Sequence, residues 1–98
     1  MLWRHSMLRI DVQNSFKKDY KKALARGLNP ELLEEVVTLL ANEIPLPAKY
    51  RDHQLTNSRK YKNIRECHIQ PDWLLVYMIE HEKLILALVR TGSHSDLF

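Results

Sequence analysis

Histidine and arginine side chains in the second half of the chain are the residues best suited to chemistry. His68 precedes the first of two strongly apolar runs and His94 follows the second, while His53 lies in a polar stretch upstream. An imidazole can accept or donate a proton near neutral pH, and the guanidinium of Arg90 can bind an anion through two parallel hydrogen bonds. One interpretation is acid–base chemistry on an anionic substrate. The other is that these histidines are surface or structural residues.

The distribution of charge favours an anionic partner. The chain has 98 residues and a formal net charge of +3. Between positions 49 and 65, six lysines and arginines stand against one acid, Asp52. Aromatic and imidazole rings are interleaved with these cations, at Tyr50, His53 and Tyr61. This combination is typical of RNA-binding surfaces, although a solvated loop would also have such a run of charge.

Length and cysteine content indicate one small domain in a reducing compartment. We expect residues 1–98 to form a single domain, with residues 1–6 as an extension ahead of Met7. The lone cysteine, Cys67, excludes an internal disulfide. Because no apolar run approaches the roughly 18–20 residues of a membrane-spanning helix, we expect a cytoplasmic protein with no membrane partner.

The hydrophobic pattern predicts the element order β-α-α-β-β-β. This is an α+β fold in which an N-terminal strand and a helical hairpin pack on a small antiparallel sheet, followed by a short C-terminal tail. Asn14 and Asn29 are expected to cap the two helices, and Gly27 to follow the first. In the meander the second and fourth strands flank the third, so His68 and His94 should come within reach of one phosphate. The predicted strands are 8–12, 63–69, 73–79 and 83–90, the helices 15–26 and 30–42, and the connecting loop 46–60.

Four blocks of the second half of the chain form a recognisable series: D-H-Q-L at 52–55, R-E-C-H-I at 65–69, P-D-W-L-L-V-Y at 71–77 and R-T-G-S-H-S-D-L-F at 90–98. In order and approximate spacing they resemble the YafQ-like branch of the RelE/ParE superfamily of bacterial toxins. Between the first two blocks the family has two glycines, near which this chain has Asn57 and Asn63. After glycine, asparagine best tolerates left-handed backbone, so we expect these turns to be kept.

The resemblance implies a function as well as a RelE-like fold. The family consists of ribosome-dependent mRNA endonucleases of type II toxin–antitoxin systems. The expected activity is therefore cleavage of mRNA in the ribosomal A site, without metal or cofactor, leaving a 2′,3′-cyclic phosphate. A cognate antitoxin is also implied, as a small DNA-binding protein encoded directly upstream. Operator DNA would then be contacted only through the complex with that antitoxin.

The resemblance also implies roles for individual residues. His94 is assigned as general acid, and either His53 or His68 as general base, with the other histidine positioning the phosphate. Asp72 is assigned to orienting a histidine or acting as its acid–base partner. Arg90 is assigned to the phosphate rather than to an ion pair. The expected RNA contacts are Lys60, Lys62, Arg65, Trp73 and Phe98.

Some residues of the same blocks are expected to serve the fold. Tyr77 and Cys67 are assigned to packing, and Glu66 to pairing with a neighbour. For Trp73, which begins an apolar strand, core packing is as well supported as RNA contact.

Three other functions are compatible with the sequence. His53, His68 and His94 with Asp72 have the right atoms for a metal site, although their spacing matches no compact metal motif. A second alternative is a non-catalytic or weakly active module of the same fold that binds RNA or protein. A third is a nuclease that acts on free RNA without the ribosome.

Overall fold

Five strands and three helices make up the described part of the chain. The computed structural model describes residues 7–55 and 63–98. In chain order the elements are β1 (Arg9–Val12), α1 (Asn14–Ala25), α2 (Pro30–Ala41), β2 (His53–Gln54), β3 (Ile64–Gln70), β4 (Trp73–Glu80), β5 (Ile85–Gly92) and α3 (His94–Leu97). Short 3₁₀ turns, Ala48–Tyr50 and His81–Lys83, precede β2 and β5. The predicted α+β class is confirmed.

The strands form one sheet in the order β1-β5-β4-β3-β2. β3, β4 and β5 are the predicted antiparallel meander, with β4 at its centre. β2 adds two antiparallel pairs at one edge, where only a loop was predicted. β1 pairs with β5 in parallel, so the sheet is mixed rather than wholly antiparallel. Parallel pairing requires a long crossover, which the chain between β1 and β5 provides.

Capping residues set the ends of the helical hairpin. Asn29 caps α2 as predicted, because its side-chain oxygen accepts a hydrogen bond from the backbone N–H of Glu31 at 3.0 Å. The predicted cap at Asn14 is wrong. Gln13 is the N-cap of α1, without a side-chain hydrogen bond, and Asn14 is the first helical residue. Gly27 has a φ of 83°, the left-handed conformation predicted for the residue after α1.

The main core lies between the helical hairpin and one face of the sheet. Its largest members include Phe16, Leu33, Val36, Val37, Trp73, Leu75, Tyr77, Leu86 and Leu88. The opposite face of the sheet, here called the open face, carries a smaller cluster. That cluster consists of Ile64, Val76, Ala87 and Val89, with Leu55, Met78 and Leu97 packed against it. Because alternate residues of a strand point to opposite faces, side chains in register with this cluster are displayed on the open face.

Polar side chains of α1 complete the edge of β5 beyond β1. β1 pairs with β5 only as far as Leu88. Further along, the hydroxyl of Ser15 donates to the carbonyl of Val89 at 2.7 Å, and the carboxylate of Asp19 accepts from the backbone N–H of Thr91 at 3.2 Å. Backbone groups without a strand partner are thereby satisfied. α1 thus holds the end of β5 from which α3 continues.

Differences from the predicted elements lie mainly at turns. β5 covers Ile85–Gly92 rather than 83–90, because the 3₁₀ turn His81–Lys83 occupies the expected start of the strand. The short tail forms α3. Asn63 has a φ of 59°, which confirms the left-handed backbone expected there. Asn57 and the predicted extension at residues 1–6 lie outside the described residues. In the described ranges, no helix has the length and apolarity to cross a membrane.

Candidate active site

Cross-strand pairing aligns the predicted site residues in two rows on the open face. The first row, from β2 to β5, consists of His53, Glu66, Val76 and Arg90. The second, from β3 to β5, consists of His68, Leu74 and Gly92. Neighbouring strands lie about 4.8 Å apart, so the second row brings His68 to within about 10 Å of the strand end that leads to His94. The predicted flanking of the central strand by the other two strands of the meander is therefore confirmed, whereas the reach of His68 and His94 to one phosphate stays a prediction.

His53 and His68 present the same ring nitrogen to one carboxyl group. Nδ1 of His53 lies 2.7 Å from the carbonyl of Arg51, and Nδ1 of His68 lies 3.3 Å from the carbonyl of Pro71. A carbonyl can only accept, so Nδ1 carries the proton in each ring and Nε2 holds the lone pair when the ring is neutral. The two Nε2 atoms lie 3.5 Å and 3.9 Å from Oε1 of Glu66. Their rings are 6.4 Å apart between centroids.

Glu66 is a buried acid on a face that is otherwise apolar at its centre. The residue is only 5% exposed, and its Oε2 has no hydrogen-bond partner among the described residues. Burying a carboxyl group costs free energy unless it is fully paired, so this position is unfavourable for stability alone. The neighbours expected to pair with Glu66 are the two histidines, whose Nε2 atoms can donate to its Oε1 when the rings are protonated.

α3 places His94 and Phe98 beside the start of β4. The backbone N–H of His94 lies 3.4 Å from Oδ1 of Asp72, in the turn between β3 and β4. Asp72 therefore contacts the backbone of His94, whereas an orienting role towards a ring was predicted. The rings of His94 and Phe98 are 5.2 Å apart between centroids, and Phe98 is 64% exposed. The terminal aromatic is thus displayed next to the candidate general acid.

A carboxylate at the third position of α3 anchors this short helix. Asp96 forms a capping box with Ser93 and accepts a hydrogen bond from Nη1 of Arg26, at the end of α1, at 2.6 Å. The hydrogen bond from Arg26, followed by those from Ser93, holds the pKa of Asp96 well below its usual range. A Cβ at Gly92 would lie 3.2 Å from this carboxylate, and the φ of Gly92 is 153°. Glycine therefore permits the close approach of α3.

The anchor of α3 is expected to depend on pH in one direction. Because folding lowers the pKa of Asp96, its stabilising contribution is fully present above the ordinary aspartate pKa of about 4 and is lost as the pH falls through the lower value in the folded protein. Replacing Arg26 with alanine should raise the pKa of Asp96 towards 3.8. NMR titration of the Asp96 carboxyl carbon measures this shift. The variant Arg9→Ala, which removes an exposed arginine of β1, is the control. If Asp96 titrates in Arg26→Ala as it does in the wild-type protein, Arg26 does not anchor α3.

Arg90 forms an ion pair, contrary to the prediction. Its Nε lies 2.5 Å from Oδ2 of Asp19 and its Nη2 lies 3.2 Å from Oδ1. The prediction that Arg90 would not form an ion pair is therefore wrong, whereas its contact with a phosphate stays a prediction. Asp19 on α1 fixes the plane of the guanidinium at the end of the first row of the open face.

Two expected RNA contacts have other partners in the structure. Trp73 is 1% exposed, and its indole N–H donates to the hydroxyl of Thr91 at 2.8 Å. No ring face of Trp73 is therefore available to a base, and core packing is the correct interpretation. Arg65 pairs with Asp52 at 3.0 Å. Lys60 and Lys62 lie outside the described residues.

The packing predicted for Cys67 and Tyr77 is confirmed, with one addition. Both side chains are buried in the main core. Burial, reinforced by nearby Asp52 and Glu66, raises the pKa of the Cys67 thiol to about 12. The hydroxyl of Tyr77 donates to Asp52, so Tyr77 also holds a polar contact. Sequence reasoning missed this contact and the one between Asp19 and Arg90. The proximity of Asp52 to His53 within one block was the only available signal.

Comparison with known proteins confirms the resemblance across the described chain. A family model described as "Bacterial toxin of type II toxin-antitoxin system, YafQ" matches residues 8–98. The mRNA interferase toxin YafQ of Escherichia coli (strain B / BL21-DE3) is 40% identical over 90 residues, which cover 91% of this chain and 94% of the relative.

Solved structures agree with this assignment. A metal-bound toxin from Helicobacter pylori has 48% identity and a TM-score of 0.86, over 94% of this chain and all of that one. The DinJ–YafQ complex of E. coli contains a chain with 38% identity and a TM-score of 0.83, over 93% of this chain and 98% of that one. The protein is therefore a member of the YafQ family of bacterial toxins of type II toxin–antitoxin systems.

Proposed function

We propose that this chain is an mRNA interferase, an endoribonuclease that cuts mRNA on the ribosome and so blocks translation. The observation that carries the proposal is the convergence of two histidine Nε2 atoms on Glu66, on a sheet face that also displays Arg90 and ends at His94. The name of the E. coli relative, an mRNA interferase toxin, supports the same activity.

The proposed reaction is an in-line displacement by the 2′-hydroxyl of the substrate. Nε2 of His53 or His68 accepts the proton of that hydroxyl as the 2′-oxygen bonds to phosphorus, and His94 gives a proton to the 5′-oxygen as the phosphorus–oxygen bond breaks. The products are a 2′,3′-cyclic phosphate and a 5′-hydroxyl. Glu66 Oε1 can accept a hydrogen bond from either ring once that ring is protonated, because it faces both Nε2 atoms.

Charge on the pentacoordinate phosphate needs a cationic donor held in place. Arg90 supplies it at the end of the row that contains His53 and Glu66, and Asp19 fixes the orientation of its guanidinium. Phe98, exposed beside His94, is proposed to stack on a base of the mRNA.

A groove at the edge of β3 is proposed to receive the RNA next to the scissile phosphate. Its volume is about 440 Å³, and it continues from His68 past Arg51 and Lys49 towards α2. Lys49 and Arg51 suit a phosphate backbone and outnumber the one acid of the lining, Glu35. The size is in the range of small-ligand sites, about 300–1,000 Å³.

The metal-bound relative raises the question of whether metal ligands are assembled here. Among residues 7–55 and 63–98, no three histidine, cysteine, aspartate or glutamate side chains are grouped so that they could hold a metal ion. The proposed steps therefore use only protein side chains. Whether cleavage depends on a metal ion can be measured.

The partners follow from family membership. The E. coli relative has been solved with DinJ as a toxin–antitoxin complex, and we propose that this chain likewise binds a cognate antitoxin encoded by a neighbouring gene. Operator DNA would be bound only through that complex. Cleavage of mRNA in the ribosomal A site places the proposed activity in the cytoplasm.

The test is cleavage of a defined mRNA on programmed ribosomes. Purified chain would be added with and without o-phenanthroline, which removes zinc and copper but leaves the magnesium that ribosomes require. The expected result is a cut within the A-site codon that is unaffected by the chelator and leaves a 2′,3′-cyclic phosphate. Loss of cleavage with the chelator would favour a metal site instead. RNA binding without cleavage would favour the non-catalytic module, and equal cleavage of free RNA an independent nuclease.

A further inference from the structure

His53 lies on a very short edge strand, and the pairing of that strand alone does not fix the orientation of its ring. β2 contains only His53 and Gln54, which make two cross-strand pairs with β3. The side chain of His53 is 48% exposed, so packing contributes little to its orientation. Its shortest contact among the described residues is the hydrogen bond from Nδ1 to the carbonyl of Arg51, two residues earlier, at 2.7 Å. The conformation of residues 51–53 therefore decides where Nε2 points.

Asp52, the residue before His53, is held by hydrogen bonds on the other face of the sheet. Consecutive residues of an extended chain point to opposite faces, so Asp52 is directed towards the helix side while His53 is on the open face. On the helix side, the carboxylate of Asp52 accepts a hydrogen bond from the hydroxyl of Tyr77, on the central strand. It also accepts from the guanidinium of Arg65 on β3, at 3.0 Å from Nη2 and 3.4 Å from Nε.

The three side chains support one another. Nε of Arg65 lies 3.3 Å from the hydroxyl oxygen of Tyr77, and Arg65 is the cross-strand partner of Tyr77. Tyr77 is 1% exposed. Burial, and next the hydrogen bond to Asp52, raises the pKa of Tyr77 well above its usual range, so the hydroxyl stays a donor. A donor fixed in the core and a charged donor on the neighbouring strand together determine the position of Asp52.

We propose that Asp52, Arg65 and Tyr77 form a clamp that positions His53 for catalysis. None of the three needs to touch the substrate. They act by fixing the backbone of residues 51–53, which sets the hydrogen bond to the Arg51 carbonyl and directs Nε2 of His53 towards Glu66. The catalytic consequence depends on the proposed function of His53, whereas the conformational consequence is independent of it.

NMR of the free protein tests the conformational consequence. Two-bond ¹H–¹⁵N spectra at alkaline pH report which ring nitrogen carries the proton. In the wild-type protein His53 should show the Nδ1–H form. In Tyr77→Phe and in Asp52→Asn, each of which weakens the clamp, the His53 signals should move towards averaging of the two forms while those of His68 stay in place. The variant Tyr20→Phe, which removes a hydroxyl on α1, is the matched control and should leave His53 unchanged.

Two variants keep the measurement decisive. Tyr77→Phe changes little volume, and Asp52→Asn keeps the shape of a half-buried side chain, so at least one is expected to fold as judged by circular dichroism. An unchanged His53 tautomer in a folded variant overturns the proposal. Because this readout needs no RNA, it stands even if the chain cleaves none.

Kinetics then test the catalytic consequence. Misplacement of a reacting group by about 1 Å can cost up to about 10²-fold, so Tyr77→Phe should lower kcat by between about ten- and a hundredfold with little change in KM. In a His53→Ala background the same substitution should have no further effect, because the residue that the clamp positions is already missing. An equal loss in both backgrounds would mean a general structural role and would overturn the proposal.

Discussion

Replacing His94 with alanine should slow mRNA cleavage by about 10²- to 10⁴-fold, the range for loss of a general acid or base. The physical reason is that the 5′-oxygen leaves poorly unless it is protonated as its bond to phosphorus breaks. His94 stands at the end of the row that links His68 to Gly92 and next to the exposed ring of Phe98. Single-turnover cleavage on programmed ribosomes measures the chemical step directly.

The control for His94 is another exposed histidine. His81 lies in the turn before β5, where it pairs with Glu43 at 2.6 Å, and His81→Ala should cleave at the wild-type rate. Growth arrest on expression should follow the same order, with His94→Ala harmless and His81→Ala toxic. A His94→Ala protein that folds and cleaves within a few-fold of the wild-type rate would rule out His94 as the general acid.

Replacing Glu66 with glutamine is expected to lower the cleavage rate by about 10²- to 10⁴-fold, as when a carboxylate that stabilises a catalytic imidazolium becomes an amide. Oε1 of Glu66 faces Nε2 of both His53 and His68, so one substitution removes the negative charge that stabilises the protonated form of either ring. Folding should be retained, because a neutral amide of the same shape costs less to bury than a carboxylate. Single-turnover rates and thermal unfolding by circular dichroism together measure the two effects.

The matched control for Glu66 is Glu82→Gln, on the exposed turn before β5, which should leave the rate unchanged. Cleavage by Glu66→Gln at a rate close to wild type would show that the carboxylate has no part in the reaction. Its burial with an unpaired oxygen would then need another explanation. A parallel loss of thermal stability would instead assign Glu66 to the fold.

The main elements of the fold could be predicted from the sequence because they depend on local patterns. The apolar runs after Trp73 and before Arg90 are long enough to be read as strands, and Asn29 followed by Pro30 marks the start of α2. Short elements were missed, since β2 has two residues and α3 four. β2 depends on its pairing with β3, and α3 on the contact between Arg26 and Asp96, neither of which is local in sequence. The local signal for α3, the capping box of Ser93 and Asp96, was overlooked.

Pairings between distant side chains could not be predicted for the same reason. Arg90 and Asp19 are 71 residues apart in the chain, and they meet because α1 runs along the edge of β5 beyond β1. A charged residue near a strand end is compatible with a phosphate contact or an ion pair, and only the packing of α1 distinguishes the two.

The amino-acid sequence by itself determined the family, the three histidines that could do chemistry and the order of the longer helices and strands. The blocks around His53, His68 and His94 are sufficient to identify the family and these residues, because residue type and spacing can be read directly from the sequence. Only the tertiary structure decided that His53 and His68 share Glu66, and that Trp73 belongs to the core. Sharing a carboxyl group depends on strand register and on which face each residue occupies. Register and face are set by the hydrogen bonds that pair β2 with β3 and β3 with β4, and the residue pattern along a single strand does not contain them.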